Sequence, residues 1–281
     1  MKKRTRREFL AWAGAGAAWL AAGPKNTKIQ AASSFPAALS NLGLASYTTR
    51  ELSLDDTLTW AKRLGLTHVC LKDFHLPMNA TAAQFEEVKK KFTGAGLDFY
   101  AVGVVYMRSE AETDAAFVYA RNAGVRLIIG VPNHELLDLV ERKIKETGIR
   151  LAIHNHGPTD KLYPTCASAF QKVENRDPGL GLCIDIGHSF RAGEDPAEAF
   201  RAFGSRILDV HMKDVDADGV AGTTVEMGRG RIDHAALLRA IARSDFRGVI
   251  SFEYEKDGDN PIPGLAESVG YYRGLLSGIR S

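Results

Sequence analysis

The chain of 281 residues is poor in cysteine and nearly neutral overall. It contains three cysteines, Cys70, Cys166 and Cys183, and its formal net charge is +2. Three thiols cannot all pair, and two of them lie within apolar, strand-like runs. The sequence therefore predicts buried free thiols and no disulfide framework.

The positive charge is concentrated at the N-terminus. Residues 1–22 contain five Lys or Arg and one Glu, so the remaining chain carries a net charge of about −2. Proteins that bind nucleic acids usually present a basic face. A mildly acidic domain therefore indicates that nucleic acid is not a partner.

The same N-terminal segment has the pattern of an export signal. Arg6-Arg7 precede Phe9-Leu10 and an Ala- and Gly-rich stretch, residues 11–22, that is short for a membrane span. The arrangement resembles the twin-arginine signal, which the twin-arginine translocation machinery reads and which is not an anchor. We therefore expect residues 1–35 to be signal and linker, and the protein to be periplasmic or otherwise exported, without a stable membrane anchor. A hydrophobic N-terminal anchor is the alternative.

From Leu42 onward, short apolar segments alternate with amphipathic ones. Each apolar segment is long enough for a buried strand and short for a helix. The eight predicted strands are Leu42–Ser46, His68–Lys72, Asp98–Val104, Arg126–Val131, Arg150–His154, Gly181–Asp185, Ile207–His211 and Gly248–Glu253. Eight strand–helix units in about 245 residues are typical of a barrel. We therefore predict an α/β protein with a single (β/α)8 TIM barrel over residues 36–281.

An open, doubly wound sheet is the alternative architecture. It would place a glycine-rich phosphate loop after the first strand, but the segment there is Ala45-Ser-Tyr-Thr-Thr49. The helix boundaries favour the barrel. Ser53 and Gly65 bracket the first predicted helix, and Thr81 with Gln84 forms the pattern of a capping box at the second.

Side chains that bind metals stand at the ends of the last four predicted strands. They are His154 and His156, Asp185, His211 and Lys213, and Glu253 and Glu255. In a β/α barrel, the carboxyl ends of all strands meet at one mouth, so these groups are expected to converge. We predict His154, Asp185, His211 and Glu253 as ligands, with His156 as the alternative to His154. A mixed nitrogen and oxygen set suits Mn²⁺, Co²⁺, Zn²⁺ or Fe²⁺ better than Ca²⁺.

These segments also carry a family resemblance. Ile184-Asp185-Ile-Gly-His188, Val210-His211-Met-Lys213-Asp214, Gly228-Arg-Gly230-Arg-Ile-Asp233 and Phe252-Glu253 resemble the sugar phosphate isomerase/epimerase superfamily, with its xylose isomerase-like barrel. That superfamily includes ketose 3-epimerases, hydroxypyruvate isomerases and inosose dehydratases, and more distantly endonuclease IV. The resemblance covers roughly residues 40–278. It implies that Asp185, His211 and Glu253 bind metal and that His188 binds substrate hydroxyls.

One position departs from the ketose epimerases. They carry a glutamate at the end of strand five, where it serves both as a ligand and as one of two acid/base groups; here the residue is His154. The dehydratase branch resembles this chain in having histidines around that strand end. The resemblance therefore implies a sugar isomerase or epimerase, with a lyase or dehydratase acting on a keto-sugar (a 3-keto-glycoside or an inosose) as the alternative.

Both reactions begin with removal of a proton α to a carbonyl, which a metal ion promotes by stabilising the enediolate. We expect Glu253 to be the base, or Glu255 if Glu253 is committed to the metal. His156 is the expected acid because its ordinary pKa lies near neutrality. Lys213 would polarise the carbonyl or hold an anionic oxygen.

Four residues are expected to contact the substrate: His188, Lys72, Arg229 and Glu255. For Arg229 the reason is its position between Gly228 and Gly230, which would allow the backbone to pass close to a ligand. A sugar-binding barrel without catalysis and an endonuclease IV-like nuclease are the remaining alternatives. Whether the chain forms a homo-oligomer stays open.

Overall fold

The computed structural model of the protein describes residues 37–280. The predicted export signal and linker, residues 1–35, lie outside the described residues. Within the described part, no helix is both long and apolar enough to cross a membrane.

Eight parallel strands close into a barrel. They are β1 (Leu42–Ala45), β2 (His68–Leu71), β3 (Asp98–Met107), β4 (Leu127–Pro132), β5 (Arg150–His154), β6 (Leu180–Asp185), β7 (Ile207–Met212) and β8 (Val249–Phe252). Around the barrel, the order is β1-β8-β7-β6-β5-β4-β3-β2. This confirms the predicted (β/α)8 barrel, with each predicted strand present.

The main departure from the predicted strands is the length of β3. The prediction ended this strand at Val104, but pairing with β4 resumes after a register shift, where Val105, Tyr106 and Met107 lie beside residues of β4. The strand therefore runs to Met107 and carries Tyr106 to the mouth of the barrel.

Helices follow the strands and cover the outside of the barrel. They are α1 (Leu54–Arg63), α2 (Ala82–Ala95), α3 (Glu110–Ala123), α4 (Leu137–Thr147), α5 (Cys166–Val173), α6 (Ile186–Arg191), α7 (Pro196–Phe203), α8 (His234–Ala242) and α9 (Ile262–Arg280). Two short strands, Asp214–Val215 and Thr224–Val225, form an antiparallel hairpin between β7 and α8.

The helix ends follow the sequence signals. The Ser53 hydroxyl accepts a hydrogen bond from the Asp56 backbone N–H at 3.1 Å, and Thr81 with Gln84 forms the predicted capping box. Gly148 adopts a left-handed conformation after α4. That backbone region favours glycine, so the helix ends there.

The barrel interior is filled by side chains. Cys70, Tyr100, Ala101, Leu127, Ile129, Ala152, Cys183 and Val249 form a buried cluster inside it. All three cysteines are buried and free, as predicted. Burial on both faces explains why the strands read as continuous apolar runs and not as alternating ones.

Strand register brings the polar residues of the last strands to one level. Asp185 of β6 lies beside His211 of β7, and His211 lies beside Ser251 of β8. Because side chains alternate along a strand, Glu253 points to the same side as Ser251, one step nearer the mouth. The carboxyl ends of these strands therefore form the floor of the mouth.

Candidate metal centre and active-site cavity

Four buried side chains meet at the carboxyl ends of β5 to β8. His154, Asp185, His211 and Glu253 each contribute one ligand atom, and these atoms lie within 4.8 Å of one another. His211 Nδ1 is 3.1 Å from His154 Nε2 and 3.1 Å from Glu253 Oε2, and His154 Nε2 is 3.4 Å from Asp185 Oδ2.

These separations fit a divalent transition metal. With bonds of about 2.1 Å, adjacent ligand atoms of a tetrahedral or octahedral ion lie about 3.0–3.4 Å apart. A longer distance, 4.0 Å, separates His154 Nε2 from Glu253 Oε2. Two ligand atoms on opposite sides of such an ion lie about 4.2 Å apart, so this distance fits as well. The four residues predicted as ligands are therefore those that the structure brings together, and His156 is not among them.

Lys213 orders the carboxylates beside this cluster. Its ammonium group lies 2.8 Å from Asp185 Oδ2, 2.9 Å from Glu253 Oε2 and 2.6 Å from Glu255 Oε1. The ammonium group donates hydrogen bonds to Glu253 and Glu255, and Asp185 is its third ion-pair partner. Lys213 is buried and does not line the open cavity above the cluster.

The charges of the cluster shift its pKa values in opposite directions. Burial alone would lower the pKa of His211, but the carboxylate of Glu253, with Asp209 and Asp185, raises it to about 9. Burial would raise the pKa of Glu253, yet His211 and Lys213 hold it well below its usual range. For His154, burial and the neighbouring His156 lower the pKa. A metal ion would therefore displace a proton from His211 on binding.

Further hydrogen bonds fix Asp185. The side chain of Asn155 donates to the Asp185 carbonyl at 3.2 Å and accepts from the Asp185 N–H at 2.9 Å. The Asp185 carboxylate in turn accepts the N–H of His188 at 2.8 Å, which caps α6. One oxygen therefore caps a helix, while the other faces His154 and Lys213.

A further buried carboxyl group, that of Asp209, lies next to the cluster inside the barrel. Asp209 Oδ1 is 3.8 Å from Nε2 of His211, the ring nitrogen that faces away from the other ligands. Burial raises the pKa of Asp209 to about 7, although His211 opposes that rise. Histidines that bind metals commonly place their second nitrogen against a carboxylate.

Above the cluster lies a cavity of about 360 Å³. It is lined by Tyr47, Lys72, Val104, Tyr106, His154, His156, His188, Glu253 and Glu255. The size is in the range of small-molecule sites. Every lining residue except Val104 carries a polar side-chain group, so the cavity offers hydrogen-bonding groups to a ligand rich in hydroxyl groups.

Three imidazoles, those of His154, His156 and His188, line the cavity together with Glu253. His156 Nε2 lies 3.1 Å from the Tyr106 hydroxyl, and the two rings stack with their centroids 5.6 Å apart. His188 Nδ1 is buried and has no hydrogen-bond partner among the described residues. Burial, followed by the neighbouring His188, lowers the pKa of His156. These rings therefore offer N–H donors or acceptors to a ligand.

The family model for the xylose isomerase-like TIM barrel matches residues 134–275, just over half of the chain. The chain belongs to this family. The matched residues contain α4 and β5 to β8, and so all four residues of the candidate metal site.

Among curated relatives, an inosose dehydratase of Geobacillus kaustophilus is 30% identical over 129 residues, which cover 40% of this chain and 41% of that protein. The chain spans less than half the length of the curated relatives it matches.

Solved structures show the same fold over more of the chain. The IolI protein, solved with a bound zinc atom, matches with a TM-score of 0.71 and 18% identity, covering 84% of this chain and 98% of that one. A D-tagatose 3-epimerase-like protein matches with a TM-score of 0.67 and 16% identity, covering 86% of this chain and 100% of that one. At these identities the likeness concerns the fold.

One predicted substrate contact lies elsewhere in this xylose isomerase-like barrel. The Arg229 guanidinium pairs with the Glu267 carboxylate of α9, with its Nη2 2.8 Å from Oε2, and it lines a separate surface cavity. The glycines on either side of Arg229 bind Asp214: its Oδ2 accepts hydrogen bonds from the N–H groups of Gly228 at 2.9 Å and Gly230 at 3.0 Å. The close backbone approach is therefore to a carboxylate of the chain itself.

The other predicted substrate contacts, Lys72, His188 and Glu255, line the cavity. Sequence reasoning missed Tyr47, in the short helical turn after β1, because aromatic residues near strand ends are more often core. It also missed Asn155, although that residue stands between the two histidines it helps to position. The signal for Tyr47 was its place directly after a strand end at the mouth.

Proposed function

We propose that this protein is a metal-dependent lyase that removes water from a keto-sugar or keto-polyol. The observation that carries the proposal is that the Glu253 carboxylate, which follows β8, and the His156 imidazole, which follows β5, line one cavity from strand ends separated by β6 and β7. A base and an acid from separate strand ends suit an elimination, in which one group removes a proton and another protonates the departing oxygen.

The His154, Asp185, His211 and Glu253 side chains would hold the metal. When bound, a divalent ion supplies Lewis acidity toward the substrate carbonyl.

Glu253 is the proposed base. Its Oε2 is taken up by His211 and Lys213, whereas no described residue donates to Oε1, which leaves that oxygen for the proton α to the carbonyl. The electron pair of the broken C–H bond forms the new double bond, and the β-hydroxyl leaves. Glu255 is the second candidate base, but Lys213 and Thr224 contact its two oxygens.

His156 is the proposed acid for the leaving hydroxyl, which departs as water. Its Nε2 contact with the Tyr106 hydroxyl orients the ring toward the cavity. Lys72 donates to the Val104 carbonyl at 2.6 Å and stays at the cavity wall, where it and His188 are placed to bind further hydroxyl groups. Lys213 holds the carboxylates of Asp185, Glu253 and Glu255 together by pairing with all three.

Isomerisation or epimerisation is the second candidate, and it shares the first proton transfer. It is favoured by the same pair of residues, because His156 in the same cavity can return a proton to carbon instead of oxygen. The sequence similarity of this chain to inosose dehydratases supports elimination, because the name of those proteins denotes the loss of water. His154 at the end of β5 also supports elimination. Because a histidine stands there, this chain lacks the pair of carboxylates that would act on opposite faces of the substrate in an epimerase.

Product analysis in deuterated water tests the proposal. The protein loaded with Mn²⁺, Co²⁺, Zn²⁺ or Fe²⁺ would be incubated with inososes, 3-keto-glycosides and ketoses. Elimination yields a dehydrated product, whereas epimerisation yields a product of unchanged composition with one deuterium on carbon. Turnover by a metal-free preparation, or by the Asp185→Ala variant, would contradict both reactions.

We also propose export through the twin-arginine route, on the Arg6-Arg7-x-Phe9-Leu10 pattern. Free sugars and glycosides reach a periplasm more readily than sugar phosphates do, which agrees with an unphosphorylated substrate. Replacing Arg6 and Arg7 by Lys should retain the protein in the cytoplasm of an expressing cell. Unchanged export of that variant would overturn this proposal without bearing on the reaction.

A further inference from the structure

A second and larger cavity opens at the other end of the barrel. Its volume is about 850 Å³, and its lining includes Arg150, the first residue of β5, Ile207, the first residue of β7, and Gly248, which directly precedes β8. Catalytic groups of β/α barrels lie at the carboxyl ends of the strands. This cavity lies at the amino ends and is therefore separate from the metal cluster.

Five arginines line this cavity: Arg150, Arg201, Arg239, Arg243 and Arg247. Asp245 is the single acidic residue of the lining, so the formal charge of the lining is +4. Arg247 lies 4.0 Å from that aspartate. The guanidinium groups of the other four have no ion-pair or hydrogen-bond partner between residues 37 and 280.

Some arginines elsewhere on the barrel are paired with carboxylates, whereas others between residues 37 and 280, such as Arg121 and Arg142, have no carboxylate partner but do not line this cavity. Arg126 pairs with Asp98, and Arg176 pairs with Asp138 at 2.6 Å. Collecting several unpaired cations around one concave space costs electrostatic free energy. A ligand that brings negative charge would offset it.

We propose that this cavity binds a small molecule carrying several oxyanion groups, such as sulfate, phosphate or carboxylate. The planar guanidinium group forms paired hydrogen bonds with such groups, and neighbouring arginines can each hold a different one. The concave shape fits a small molecule, whereas a nucleic acid would require a basic stripe along the surface. Buried Phe200 and Phe246, which pack edge to face, give the cavity a rigid apolar floor.

Calorimetric titration of the metal-loaded protein with benzene-1,3,5-trisulfonate tests this proposal, since sulfonates bind metal ions weakly. We expect one trisulfonate per chain and binding at least about tenfold tighter than that of benzenesulfonate, because several arginines act on one ligand. Benzene-1,3,5-tricarboxylate forms the second arm. Tighter binding of either trivalent probe identifies the preferred oxyanion.

The variant Arg201→Gln, Arg239→Gln, Arg243→Gln should bind the trisulfonate at least about tenfold more weakly, through loss of charge-assisted hydrogen bonds. The matched control is Arg63→Gln, Arg121→Gln, Arg142→Gln, which removes the same charge from helices outside the cavity; it should change the affinity less than about twofold. Equal losses in the two variants, or no saturable binding to the unaltered protein, would overturn the proposal.

A measurement on the unaltered protein gives an independent check. Phenylglyoxal modifies accessible arginines, and the modified sites can be mapped by mass spectrometry. Bound trisulfonate should protect Arg201, Arg239 and Arg243 but not Arg63 or Arg121. Uniform protection, or none, would count against the site.

Discussion

The ammonium group of Lys213 lies 2.8 Å from Oδ2 of Asp185, the oxygen that also faces His154. A lysine therefore shares a carboxylate oxygen with the predicted metal cluster. Its positive charge stabilises the group of carboxylates when no cation is bound, and it repels a divalent ion that uses the same oxygen. Lys213 thus acts on stability and on metal affinity in opposite directions.

Replacing Lys213 by Met should separate these two effects. The metal-free variant should lose about 3 kcal/mol of unfolding free energy, because buried carboxylates lose their counter-charge. Its affinity for Zn²⁺ or Mn²⁺ should rise about tenfold, since the Coulomb repulsion is removed. Urea unfolding and calorimetric metal titration measure the two quantities. Lys72→Met is the control, because that lysine donates to a carbonyl of β3; weaker metal binding by the Lys213 variant would contradict the argument.

His154 and His156 should have separable roles. His154→Gln removes a member of the four-residue cluster, so metal affinity should fall at least about 100-fold, with loss of turnover. His156→Gln should keep the metal and lower kcat by about 100-fold, the usual contribution of an acid/base group. Elemental analysis and calorimetry report metal content and affinity. Loss of metal from the His156 variant, with retention by the His154 variant, would reverse the assignment.

Asp214 should be required for the conformation of the loop that follows β7. Its carboxylate accepts the backbone N–H groups of Gly228, Gly230 and Ile232. A Cβ at Gly230 would overlap this carboxylate, so the loop closes on it only with glycine there. Asp214→Ala should lower the free energy of unfolding by about 3 kcal/mol, through loss of buried hydrogen bonds to a charged acceptor.

Asp216→Ala is the comparison for that variant. Asp216 is exposed and hydrogen-bonds to Thr223, so its removal should cost less than about 1 kcal/mol. Both changes can be measured by urea unfolding monitored by circular dichroism. Equal destabilisation by the two variants would show that the loop does not depend on the Asp214 carboxylate.

Glu226 should contribute stability that depends on pH. Its side chain accepts hydrogen bonds from Lys256 at 2.9 Å and from Tyr254 at 2.8 Å, and these contacts lower its pKa to about 2, with Lys256 the larger cause. A carboxyl group with a lowered pKa stabilises the fold above its unfolded pKa, about 4.3, and this stabilisation is lost as the pH falls toward 2.

Glu226→Gln should therefore reduce the free energy of unfolding by about 1 kcal/mol at neutral pH, and the difference from the unaltered protein should disappear near pH 2. Urea unfolding at several pH values measures this. Glu174→Gln, at an exposed position, should show no such difference at any pH. A constant difference for the Glu226 variant down to pH 2 would exclude the ion pair as its cause.

The sequence determined the barrel and the four residues of the candidate metal site. Apolar runs of strand length, separated by capped helices, leave few ways of burying both faces of each strand, and parallel strands in a closed barrel bring their carboxyl ends together. For that reason His154, Asp185, His211 and Glu253 could be predicted from their positions at strand ends.

The tertiary structure decided the features that depend on the direction of a side chain and on the partners it contacts. The turn of the chain after β5 decides that His154, and not His156, belongs to the cluster. Arg229 pairs with Glu267 of α9, which is distant in the sequence, and therefore does not line the cavity above the cluster. Residues from elements far apart in the sequence form the arginine-lined cavity, so no local sequence pattern predicts it. Strand position is a local property, but the direction and pairing of a side chain depend on contacts across the whole barrel.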